Sequence, residues 1–68
     1  MIIQGKEIDD DLIDEAVGEW HRDTYARIEL KLSTGGIFKF ESDKPEEVAA
    51  MCETLYKSVM LAARKKRQ

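Results

Sequence analysis

The stretch DDDLIDEAVGEWH, Asp9 to His21, decides how the rest of the chain is read, because its apolar residues follow a helical rhythm. Leu12, Ile13, Ala16, Val17 and Trp20 recur at spacings of one, three and four, which lines them along one side of a helix. Asp9 to Asp11 stand where a helix would begin, and acidic groups there accept from free backbone amides and favour the positive end of the helix dipole. Gly18 is the discordant residue, since an interior glycine costs about 1 kcal/mol relative to alanine. The spacing predicts a helix from about residue 10 to 22.

Beyond this stretch the period changes to two. Ala26, Ile28, Leu30 and Leu32 alternate with Tyr25, Arg27, Glu29 and Lys31, the pattern of a half-buried strand. Ser33 to Gly36 then turn the chain, and Ile37 to Glu41 return it with Phe38 and Phe40 in phase. A two-residue loop would set Leu30 opposite Lys39 and mix the faces. A three-residue loop ending at Gly36 sets Leu32 opposite Phe38 and Leu30 opposite Phe40, with Gly36 left-handed.

Asp43-Lys44-Pro45-Glu46 reads as a helix start, an aspartate cap with glutamate three residues on and proline in the first turn. The helix runs to the end of the chain, with Val48, Met51, Cys52, Leu55, Val59 and Ala62 as its apolar stripe. On the other side of the opening stretch, Met1 to Gln4 is a short strand ending at Gly5. It either joins the main sheet or folds back onto Glu7 and Ile8, and joining the sheet is preferred. The expected fold is α+β, ordered β-α-β-β-α: a small three-stranded, mainly antiparallel sheet with two helices on one face. Residues 1–68 form one small domain ending in a basic tail at 64–68. Proteins of unrelated function use this order of elements.

Such a chain buries only roughly 60% of its unfolded surface, and domains this small usually rely on disulfides, metal or self-association. Cys52 is the only cysteine and His21 the only histidine, so an internal disulfide is excluded and a closed zinc site would need carboxylates. Self-association is the support that remains. Met60 lies at one margin of the last helix's stripe and Leu61 nearly opposite it. A homodimer is therefore expected through Tyr56, Met60 and Leu61, flanked by Ala63. The opening residues lack the basic start and apolar core of a signal peptide, and no apolar run approaches the ~18 residues of a membrane span. A cytoplasmic location and no membrane partner are expected.

No motif for catalysis, metal or cofactor stands out. Cys52 falls on a buried stripe, where thiols are inert, so no enzyme activity and no cofactor are expected. The acids at Asp10, Asp11, Asp14 and Glu15 lack the alternating oxygens and glycine turn of a calcium loop. They are read as an acidic helix face for a protein partner. Trp20 is read as core. Tyr25, Arg27 and Lys31 alternate with buried residues and so mark the open side of the sheet, a second contact surface. The close of the chain, RKKRQ, puts Arg64, Lys65, Lys66 and Arg67 at the negative end of a helix dipole, where they are favourable without a partner. They are also the phosphate-binding residues of a rival reading, a nucleic-acid accessory factor that adds the hairpin cations. The favoured reading is a non-enzymatic acidic interaction protein, of the regulator or inhibitor type that phages and mobile elements carry. It would bind another protein through the acidic first helix or the open sheet face.

Overall fold

In the computed structural model, which describes residues 1–67, one helix and five strands make up the chain. In order these are β1 (Ile2–Ile3), β2 (Lys6–Glu7), a 3-10 turn (Asp10–Leu12), β3 (Ile13–His21), β4 (Tyr25–Leu32), β5 (Ile37–Ser42) and α1 (Pro45–Lys66). The fold is α+β, with an antiparallel sheet ordered β3-β4-β5 and a separate two-stranded hairpin of β1 and β2. Only one helix lies on the sheet, not the two expected.

The expected first helix is strand β3. Asp9 does cap, its side chain accepting from the Asp11 amide at 3.0 Å, but the helical turn it starts ends at Leu12. A β-bulge accounts for the three-residue step from Ile13 to Ala16, while Val17 falls on the opposite face. Ile13 pairs with Leu32 and Glu15 with Lys31, so Asp14 is an extra residue in β3. A bulge shifts the alternation by one, which brings Ile13 and Ala16, three apart, onto the same face. From there Ala16, Gly18 and Trp20 stand opposite Leu30, Ile28 and Ala26 on the side covered by α1. Gly18 also fits a strand for a steric reason: a Cβ there would meet the Arg27 carbonyl oxygen at 2.2 Å and a Leu55 methyl at 2.9 Å. Glycine within a strand marks such a close approach. Energetically, β3 widens what would otherwise be a lone two-stranded hairpin, marginal in water, into a platform for a 22-residue helix.

The amino-terminal strand folds back instead of joining the sheet. Ile3 pairs with Lys6 through Gln4 and Gly5, both at positive φ (49° and 80°), the two-residue hairpin turn that matches strand twist. The N-terminal ammonium donates to the Ile8 carbonyl at 2.7 Å and to Asp10 Oδ1 at 2.6 Å. Ile3 and Ile8 enter the core beside Phe40 and Met51.

The β4–β5 loop has three residues, but they are Ser33, Thr34 and Gly35. Leu32 donates to the Gly36 carbonyl and accepts from the Gly35 amide, and the positive φ of 92° belongs to Gly35, not Gly36. Phe38 therefore pairs with Leu30 and Phe40 with Ile28. This register differs from the expected one by two residues, which keeps both rings on the core face.

Helix α1 begins at Pro45 with Lys44 as cap and no side-chain bond from Asp43. Ser42 does the capping work: its Oγ accepts from the Lys44 amide and donates to Glu47. Val48, Met51, Ser58 and Ala62 are the buried positions of the helix, with Leu55 and Leu61 packed on the core. Ser58 sits where the expected stripe had Val59. Its hydroxyl bonds the Thr54 carbonyl at 2.8 Å, so burial leaves no donor unpaired.

Candidate interaction surface

Helix α1 and the β1–β2 hairpin cover one face of the sheet, and the other face is bare. Two grooves fix the arrangement on the covered side. Ile3 and Gln4 line one with Glu47, Ala50, Met51 and Thr54 on one flank of α1, and Ala16, with Val17 at the strand edge, lines the other with Val59, Ala62 and Ala63. Gln4 Nε2 also donates to the Glu41 carbonyl at 2.9 Å, and the Lys6 ammonium lies 4.5 Å above the Phe38 ring. The N-terminal hairpin thus tends the β5 side, and α1 the β3 side.

The bare face is built from cross-strand rows. Glu15, Lys31 and Ile37 form one row, Val17, Glu29 and Lys39 the next, and Glu19, Arg27 and Glu41 the third. Arg27 bridges Glu19 at 3.1 Å and Glu29 at 3.4 Å, and Lys39 reaches Glu29 at 3.6 Å. The contact from His21 and the charge of Arg27 hold the Glu19 carboxyl below its usual range. The Tyr25 hydroxyl donates to Glu41 at 2.9 Å, and that bond raises the phenol's pKa. Opposite charges on neighbouring strands are mutually stabilising, so most of the charge on this face is already paired within the chain.

Between the rows lies an apolar feature that the sequence reading did not single out. Val17 is 57% exposed and Ile37 64% exposed, and with Glu15, Glu29, Leu30 and Lys31 they line a shallow groove of about 170 Å³. Strand alternation carries the signal: Ile37 is out of phase with Phe38 and Phe40, and Val17 with Ala16.

Tyr25, Arg27 and Lys31 share the bare face, as alternation predicts, with Lys31 between Glu15 and Ile37. The expected acidic face, by contrast, does not exist as a unit. Asp10 is tied to the N-terminal ammonium and lies 3.7 Å from Lys57, and the ammonium's hydrogen bond lowers its pKa. Asp14 accepts from Lys65 at 3.0 Å, Asp11 is exposed on the 3-10 turn, and Glu15 stands on the bare face. A helix would have aligned them; the strand sends them in different directions.

The tail residues Arg64 to Lys66 close α1 and Arg67 caps it, while Gln68 lies outside the described residues. Lys65 is engaged with Asp14, whereas Arg64, Lys66 and Arg67 are exposed with no ion pair among the described residues. Of the expected self-association residues, Tyr56 and Met60 are exposed, but Leu61 packs against the core. Val59 takes its place in water. Trp20, expected in the core, is 51% exposed at the margin of β3.

Among the described residues no three His, Cys, Asp or Glu side chains are gathered to hold a metal, and no helix is long and apolar enough to cross a membrane. Compared with known proteins, the chain matches no family model, no curated protein and no solved structure.

Proposed function

We propose that the chain is a non-enzymatic interaction protein of regulator or inhibitor type, which binds another protein across the bare face of its sheet. The observation that carries this reading is the pair of exposed aliphatic residues, Val17 and Ile37, set around a groove that the charged residues Glu15, Glu29 and Lys31 rim. Apolar anchors inside a polar rim are the usual anatomy of a protein interface. The fitting partner offers an aliphatic or aromatic side chain to the groove and polar groups to Tyr25, Arg27 and Lys31. Affinity capture from the native host, with the partner identified by mass spectrometry, tests it. A Val17→Glu, Ile37→Glu double variant should lose that partner, and equal capture by the variant overturns the reading.

A second reading rests on the end of α1, where Arg64, Lys66 and Arg67 are free to meet phosphate. Three phosphate contacts at a log-log slope of about −0.9 each would weaken binding roughly fortyfold between 50 and 200 mM salt. Gel shifts that are absent at low salt, or that survive alanine at all three positions, remove it.

A further inference from the structure

Strand β3 is an edge strand of nine residues, Ile13–His21. The His21 carbonyl accepts from the Thr24 amide in the β3–β4 turn, so His21 faces β4. Alternation then turns Glu19, Val17 and Glu15 the same way, and sends the amides and carbonyls of Trp20, Gly18 and Ala16 outward. None of these outward groups has a hydrogen-bond partner among the described residues. Bare edges of this length template pairing with another strand. Beside this edge runs the apolar flank of α1, where Cys52, Tyr56, Val59 and Ala63 recur at intervals of three and four. Val59 and Ala63 share with Ala16 and Val17 an open groove of about 310 Å³. At the other end of the strand stands Trp20, half exposed.

We propose that two copies of the chain pair along β3, antiparallel, about a twofold axis at Gly18, making one six-stranded sheet with the two helices side by side. The choice of occupant and register follows from charge and shape. Faces match only if the axis passes through a residue. An axis at Val17 stacks Glu15 on Glu19, and an axis at Glu19 stacks that glutamate on itself; like charges directly opposite are destabilising. An axis at Ala16 leaves Trp20 opposite Leu12, which lies outside the strand. With the axis at Gly18, Glu15 meets the second copy's His21, and Trp20 meets its Ala16, at the mouth of the groove that Val59 and Ala63 line. Twofold symmetry fills both grooves. Gly18 at the axis has no side chain to hold the strands or helices apart.

Trp20 is the sole tryptophan, so its fluorescence reports burial at this contact. Sedimentation of the wild type from about 1 to 200 μM, a range that brackets dimers of roughly −6 to −8 kcal/mol, should show a monomer–dimer transition. The tryptophan emission should shift to the red on dilution with the same midpoint. Val59→Glu on the helix flank and Trp20→Lys on the strand each alter an exposed side chain and should raise the dissociation constant at least tenfold, with circular dichroism unchanged. Ile37→Glu, on the bare face, should leave the dimer intact, so loss of the proposed protein partner and loss of the dimer are separable. A wild type that stays monomeric throughout overturns the proposal. So does a dimer that tolerates both Val59→Glu and Trp20→Lys, or an emission maximum that ignores concentration.

Discussion

β5 and β3 are the outer strands of the same sheet, yet they are finished in different ways. At β5 the Glu41 carbonyl is bonded by Gln4, and the Lys6 ammonium covers Phe38. At β3, nine residues long, the outward backbone groups are bare and the flanking side chains are Ala16, Trp20 and Val59. The difference shows how cover is shared out in a chain with one helix. The N-terminal hairpin is stationed on one flank of α1 and nothing is left for the other. Natural sheets protect their edges with charge, bulges or covering segments; β3 carries Glu15 and Glu19 on the bare face and one bulge, at Asp14, near its start.

The comparison can be broken most sharply at Gly18, where β3 lies tightest under the helix. Gly18→Val should destabilise the fold by about 3 kcal/mol, because the new side chain drives into the Arg27 carbonyl and Leu55 and overpacks the contact between β3 and α1. Chemical denaturation measures it, and a loss under about 1 kcal/mol means the strand can move away from α1. A smaller effect is expected on the β5 side. Gly35→Val forces a branched residue to a φ of 92° and should cost about 1–2 kcal/mol. Gly36→Ala, whose Cβ meets nothing closer than 3.8 Å, should be nearly neutral, and the reverse order would reassign the turn.

Smaller again is the cover itself. Gln4→Ala removes an exposed hydrogen bond to the β5 edge and should cost about 0.5–1 kcal/mol. Amide hydrogen exchange should rise at the residues that the hairpin shelters on β5 and stay constant on β3. A uniform rise would mean that the hairpin supports the whole sheet and not one edge.

The least effect is electrostatic. Folded Asp10 holds its proton less tightly than the unfolded chain does, since it is bonded to the N-terminal ammonium. Its contribution to stability is therefore complete above the unfolded value of 3.8 and fades as pH falls through the lower folded value. Because the carboxylate is partly solvated, the contribution should stay below about 1 kcal/mol. Denaturation from pH 5 to pH 2 should show the wild-type and Asp10→Asn curves converging at the acid end. A constant gap between them would place the effect of Asp10 elsewhere than in this ion pair.

Much of the fold was legible because one period dominates its segment. The alternation of Tyr25 to Leu32 predicted which residues face the core and placed Tyr25, Arg27 and Lys31 on the bare side. The long helix was legible from Pro45 onward, although its buried stripe includes Ser58, a polar residue no hydropathy pattern selects. The candidate surface was half legible. Alternation places its polar residues, while the spacing of Val17 points to a helix and Ile37 is out of phase with Phe38 and Phe40.

What the sequence determined by itself was therefore local: the identity of β4, the three-residue length of the following loop, the start of α1 near Pro45, and the absence of any second cysteine for a disulfide. Tertiary structure decided the state of Asp9 to His21. Three apart means one face in a helix, and it also means one face in a strand with a single bulge, so Ile13 and Ala16 fit both. Only the packing of Gly18 beneath Leu55 and the pairing of β3 with β4 separate the two. These are long-range interactions, invisible in any window of sequence. They favour the strand because a two-stranded sheet would be too narrow to bury the apolar stripe of α1.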